Sequence, residues 1–87
     1  MNSSVTRSFR KLFAALPKQV QARARKQYSL WQRDHRHPSL HFKKVGDYWS
    51  VRVDDGHRAL GGVESDTLFW FWIGTHDEYQ RIIAQGK

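Results

Sequence analysis

His76 stands where the most hydrophobic run of the chain, Leu68-Phe69-Trp70-Phe71-Trp72-Ile73, gives way to Gly74-Thr75. Histidine is the side chain whose ordinary charge change falls near neutral pH, so an imidazole leaving the end of a strand can give or take a proton there. A competing reading makes Thr75 or Asp77 a helix cap and His76 a bystander, because Asp77-Glu78-Tyr79 and Arg81-Ile82-Ile83 read as a short closing helix. A second group, His41, Lys43, Arg52, Arg58 and Trp72, combines fixed cations with a flat ring. A phosphodiester needs that chemistry: positive charge for its oxygens and a surface on which bases stack. Lys44 adds a further cation beside Lys43, and Arg23 and Lys26 either join the same surface or form a solvated face of their own helix.

Other chemistries find less support. His35, His37 and His41 are close in sequence but have no cysteine and no carboxylate partner, so they read as loop histidines, and neither a metal nor another cofactor is expected. Gly61-Gly62 falls inside a strand, where it marks a bulge or a close backbone contact, not a phosphate loop. No Ser, His and acid spacing suggests a nucleophilic triad. Asp54-Asp55 and Asp77-Glu78 fit turns and helix starts, and His57 beside a turn reads as ordinary.

The elements that must hold these groups follow from periodicity. Phe9, Leu12, Phe13 and Leu16 form one helical stripe, which Ser4 or Thr6 can cap. Pro17 ends that helix and opens a second, with Val20, Ala24, Gln27 or Tyr28, and Trp31 on its apolar side. Residues 33–38 form a loop, and from Ser39 the period becomes two. Strands are expected over 39–45, 48–53, 57–63 and 67–73, joined by short polar turns into an antiparallel meander.

A two-residue turn at Gly46-Asp47 pairs Val45 with Tyr48, and therefore Phe42 with Val51, Leu40 with Val53 and His41 with Arg52. A three-residue second loop with Gly56 left-handed pairs Arg52 with Arg58. A three-residue third loop pairs Arg58 with Trp72 and Leu60 with Trp70. One face then collects Leu40, Phe42, Val51, Val53, Ala59, Phe69, Phe71 and Ile73 for the helices to cover. The other carries His41, Lys43, Ser50, Arg52, Arg58, Leu60, Leu68, Trp70 and Trp72. Two arginines directly across a ladder repel unless something anionic sits between them. The expected architecture is thus α+β: an N-terminal αα-hairpin packed on a four-stranded antiparallel meander, with a short C-terminal helix.

With 87 residues, 1–87 form a single domain, and twelve aromatics give it a workable core. The absence of cysteine excludes a disulfide framework and suits a reducing compartment. No apolar run is long enough to span a membrane, so a soluble cytoplasmic protein is expected. Fifteen Lys and Arg against eight Asp and Glu give a net charge of +7 and favour polyanionic partners.

The succession FRKLFAALP, HPSLHFKKV, WSVRV, HRALGG and FWFWIGTHDEYQRII resembles the RelE/ParE superfamily of type II toxin–antitoxin toxins over nearly the whole chain. That resemblance implies a small basic toxin held inactive by a cognate antitoxin protein. Many members act on the ribosome and cut mRNA, whereas others poison DNA gyrase and cut nothing. Carried over, Arg52 and Arg58 match the family's arginines at the end of the second strand and the start of the third. His76 matches the histidine of the GTH motif, and Tyr79 is the nearest aromatic after it. His57 stands where the family often has Tyr, and no counterpart appears of the Glu that some nuclease branches use as a base. Residues 1–5 are short and polar for the leading strand that many members carry.

The resemblance thus favours a ribosome-dependent mRNA endoribonuclease in which Arg52 and Arg58 hold the phosphate and Trp72 stacks a base. His76 is the acid or base, and His41 or Tyr79 supplies the other proton role. A gyrase inhibitor and an inactive antitoxin- or nucleic-acid-binding member are the rivals.

Overall fold

The helices begin and end where local chemistry dictates. Thr6 caps α1 (Arg7–Ala14), its hydroxyl accepting from the Phe9 N–H, and Pro17 precedes α2 (Lys18–Arg33). The computed structural model describes residues 2–85. Around the two helices it places β1 (Asn2–Val5), a short 3₁₀ helix (Pro38–Leu40), β2 (Lys43–Val45), β3 (Tyr48–Asp54), β4 (His57–Glu64), β5 (Thr67–Thr75) and α3 (His76–Gln85).

The architecture is the expected α+β arrangement with one more strand. The sheet has five strands in the order β1-β5-β4-β3-β2. β1, too polar to stand out in the sequence, pairs in parallel with β5, Asn2 opposite Thr67 through Val5 opposite Trp70. Backbone hydrogen bonding, not side-chain burial, makes the strand: only Val5 packs on the core, while the Ser3 hydroxyl meets the Tyr28 hydroxyl at 2.6 Å.

The first expected strand is shorter than its pattern suggested. Leu40 ends the 3₁₀ helix, and His41 takes a left-handed conformation at φ 44°. Pairing between β2 and β3 therefore starts at Lys43–Ser50, and His41 does not lie opposite Arg52. Leu40 nevertheless becomes fully buried, so hydrophobicity placed the residue correctly while period two mistook its backbone.

Two irregularities set the faces. Between β3 and β4 the loop is the two-residue Asp55-Gly56, closed by Asp54 opposite His57. A bulge at Val53 then restores Arg52 opposite Arg58 and Val51 opposite Ala59. Gly56 is not left-handed; the described positive-φ residues are His41, Gly46 and Ser65. Between β4 and β5 the loop also has two residues, Glu64 pairing with Thr67, which slips the register by one and carries Leu68 and Trp70 to the helix side. A bulge at Leu60/Gly61 slips it by one more, so Trp72 and Ile73 keep their expected sides and Arg58 lies opposite Gly74 instead of Trp72.

The core under α1 and α2 therefore contains Val20, Trp31, Leu40, Val51, Val53, Ala59, Leu68, Trp70 and Ile73. Phe69 and Phe71, expected there, are half-buried on the other side of the sheet, where Phe71 meets Tyr48 edge-on at 5.1 Å. Gly61 is where the sheet can fold in this way: a Cβ on it would lie 2.9 Å from Leu68 Cδ1 and 3.0 Å from Trp70 Cε3. Trp70 and Trp31 meet edge to face at 5.6 Å. The two helices do not close over the sheet, leaving an apolar groove of about 270 Å³ floored by Trp31, Trp70 and Ile73, with Arg10 and Arg25 among its walls.

Trp70→Ala removes a buried ring and lowers the unfolding free energy by about 3–5 kcal/mol. Trp72→Ala costs less, because that ring is half-buried. Urea unfolding of both variants checks the order, and equal losses would contradict the assignment of Trp70 to the core.

Candidate functional site

The two bulges bring the candidate residues to one end of the sheet. Arg52 and Arg58 are direct partners and share a face, as do Arg58 and Gly74 and, on the other side, His57 and Thr75. His76 follows at once, and its backbone N–H donates to the Gly56 carbonyl at 2.8 Å, tying the start of α3 to the β3–β4 turn.

On the face away from α1 and α2, Trp72 lies across Gly74. A Cβ at position 74 would sit 2.6 Å from Trp72 Cζ2 and 2.8 Å from Glu78 Oε1, so glycine lets both side chains close over the strand end. Thr75 and Glu78 form a reciprocal cap: the Glu78 N–H donates to the Thr75 hydroxyl, while the Thr75 N–H and hydroxyl both donate to Glu78 Oε1 at 2.9 Å. Those bonds hold the Glu78 carboxyl below its ordinary 4.5. Arg58 Nη1 donates to the Asp54 and His57 carbonyls, which fixes the guanidinium beside the turn. Arg52 bonds Asp55, a residue almost wholly in solvent and therefore an easily exchanged partner.

On the α2 side, a cleft of about 880 Å³ lies between α2, the 3₁₀ helix and the β3–β4 turn. Arg23, Lys26, His37, Arg52, Asp55 and His57 are among the residues lining it. Gln27 donates to the Arg52 carbonyl at 2.9 Å and docks α2 against this end of β3. Asp54 is the hub: its carboxylate accepts from His57 Nδ1 at 2.9 Å, Arg23 Nη1 at 3.1 Å and the Gly56 N–H at 2.9 Å. Burial alone would raise this carboxyl, but donation from His57, Arg23 and Gly56 outweighs it and keeps the group below its ordinary 3.8.

The residues singled out by sequence thus separate. Arg52, Arg58 and Trp72 share a face at the sheet end. His76 follows that end with its ring beside Tyr79 and its Nε2 3.3 Å from Gln80 Nε2, and Arg23 and Lys26 line the adjoining cleft with Arg52. Lys43 lies on the Arg52 face near the sheet edge, whereas Lys44 pairs with Trp49 and faces the helix side. His41 is exposed outside the sheet, and Tyr79 is only 4% exposed, its ring 5.9 Å from that of His76. Sequence reasoning missed the His57–Asp54 pair. Its signal was Asp-Asp-Gly-His: an Asp that turns the chain through its own side chain and a His three residues on. The other histidines have local tasks, His35 packing on Trp31 and His37 capping the 3₁₀ helix through the Ser39 N–H.

Residues 18–81 match the family model of the ParE-like toxin domain, and the chain belongs to that family. Solved structures share the fold at low identity. The toxin in the RelB–RelE antitoxin–toxin complex from Methanococcus jannaschii aligns with a TM-score of 0.70 at 16% identity, over 90% of this chain and 95% of that one. The YoeB/ParE toxin from Agrobacterium tumefaciens gives 0.68 at 15%, over 87% and 99%. YafQ from E. coli gives 0.67 at 13%, over 90% and 96%. No curated protein matches. No helix among the described residues is long and apolar enough to cross a membrane.

Gly74→Ala forces Trp72 and Glu78 aside and costs about 1–3 kcal/mol. Gly62→Ala, whose Cβ meets nothing within 4 Å, does not destabilise, and thermal melts of the two compare them directly. Asp54 supplies a pH test. A carboxyl depressed in the folded state stabilises above its unfolded pKa, and that stability is lost as pH falls below 3.8 through the folded value. Urea midpoints across this range fall for the native protein and fall less for Asp54→Asn; parallel curves would contradict the role of the hub.

Proposed function

We propose that this protein is the toxin of a toxin–antitoxin pair and acts as a ribosome-dependent mRNA endoribonuclease. The observation that carries the reading is the Arg52–Arg58 pair at the sheet end, next to Trp72 and the start of α3. Like charges directly across a ladder cost stability, and a bound phosphate reverses the sign of that cost. Arg58 and Arg52 hold the scissile phosphate and the charge that builds on it, and Trp72 offers a ring to a neighbouring base. His76 transfers a proton. A site of few groups reaches a useful rate when the ribosome has already ordered the message, since prior orientation removes much of the barrier.

The antitoxin is the second part of the proposal. The net charge of +7 favours an acidic partner. The apolar groove between α1 and α2, with Arg10 and Arg25 at its walls, suits an acidic segment with an apolar side. The resemblance to the RelE chain of the Methanococcus jannaschii complex supports a partner of this kind.

Induced in cells, the native chain produces new 5′ ends within coding regions of mRNA. His76→Ala reduces this cleavage by about 10²–10⁴-fold, the usual contribution of a proton-transfer group. Arg58→Ala reduces it by about 10²-fold or more. Intact transcripts together with broken chromosomal DNA would contradict the nuclease reading and favour gyrase as target.

A further inference from the structure

Cleavage of RNA by its own 2′-OH needs two proton transfers, and His76 supplies one. The other candidates drawn from the sequence are badly placed: His41 lies outside the sheet, and Tyr79 is the buried residue of α3. We propose that His57 is the second proton-transfer residue, the general base that takes the 2′-OH proton, and that Asp54 is its positioning residue. This rests on the nuclease reading above.

Asp54 determines the tautomer of His57. An ionised carboxylate can only accept, so Nδ1 of His57 donates in their 2.9 Å bond and Nε2 is the nitrogen left to exchange a proton with substrate. Nε2 has no hydrogen-bond partner among the described residues, and the side chain is 20% exposed in the wall of the 880 Å³ cleft. An imidazole with one nitrogen anchored and the other open to a cleft is arranged to exchange a proton there. Asp54 is itself held by Arg23 and by the Gly56 N–H, so the dyad is braced from α2 and from its own turn.

Its position suits the reaction. His57 is paired with Thr75, the residue before His76, so the two histidine Cα atoms are about 6 Å apart from strand spacing and chain step. Arg58 follows His57 on the opposite face, and its guanidinium bends back to the Asp54 and His57 carbonyls, so the two residues meet at the end of the sheet. In the reaction, His57 Nε2 takes the 2′-OH proton as O2′ bonds to phosphorus. The P–O5′ bond breaks, and O5′ takes a proton from His76. The products are a 2′,3′-cyclic phosphate and a 5′-hydroxyl, with no other reactant consumed. The charged and titratable groups around His57 are Arg23 and Lys26 from α2, His37 capping the 3₁₀ helix, Arg52, Asp54 and Asp55 from the β3 end and its turn, Arg58 from β4, and Glu78 from α3.

The test uses the full-length protein on ribosomes programmed with an mRNA carrying one cleavable linkage. That linkage is either natural or a bridging 5′-phosphorothiolate, whose sulfur departs without needing a proton. His76→Ala loses about 10²–10⁴-fold on the natural linkage and recovers on the sulfur one. His57→Asn keeps an amide N–H for Asp54 but has no proton-accepting nitrogen. It loses a similar factor on both linkages, keeps KM near the native value, and loses the acid limb of the kcat–pH profile. Asp54→Asn moves that limb to lower pH, because a carboxylate stabilises the imidazolium it faces.

The folded fraction of each variant is measured by circular dichroism at every pH and the rates are expressed per folded protein, so a destabilised variant still decides. Native rates from His57→Asn, an unchanged acid limb, or recovery of His57→Asn on the sulfur linkage would each overturn the assignment. Absence of cleavage by the native protein overturns the nuclease reading itself and shows before any variant is made.

Discussion

The paired slips in register between β4 and β5 are the constraint on which the rest of the molecule depends. The tight turn after Glu64 carries Leu68 and Trp70 to the helix side, and the bulge at Leu60/Gly61 returns Trp72 to the opposite side. One continuous aromatic run thereby serves both faces. Trp70 joins Trp31 and Ile73 in the core, while Trp72 folds over Gly74. The same two slips move Arg58 along β5 from Trp72 to Gly74, which places His57 beside Thr75 and next to the start of α3. Without them His76 would lie two residues further along the chain from His57 and the Arg52–Arg58 pair.

The energetic logic of the site is one of unevenly matched charge. Arg52 and Arg58 face each other across a ladder, a costly arrangement in an empty sheet. The nearest counter-charges are weakly committed or turned elsewhere: Asp55 is exposed, and Asp54 is occupied by His57 and Arg23. Glu78 is engaged by Thr75. The acidic groups therefore order the turn and the helix start without neutralising the arginine pair.

Much of this was legible in the sequence. The helical stripes through Phe9 to Leu16 and Val20 to Trp31 are strong because amphipathic spacing persists over several turns. The pairing of Arg52 with Arg58 was legible too, although by a different loop from the one expected. The misses share a cause. β1 is made by backbone pairing with few apolar side chains, residues 39–42 alternate in hydrophobicity without being extended, and bulges add a residue that no period reports. His57 looked ordinary because its significance lies in the carboxylate three residues before it, a contact set by the turn and not by composition.

Backbone NOE connectivities between β4 and β5 test the account at its root. The structure predicts cross-strand contacts of Arg58 with Gly74, Leu60 with Trp72 and Gly61 with Trp70. A regular ladder joining Arg58 to Trp72 and Leu60 to Trp70 would contradict it, returning Trp70 to the outer face and separating His57 from His76.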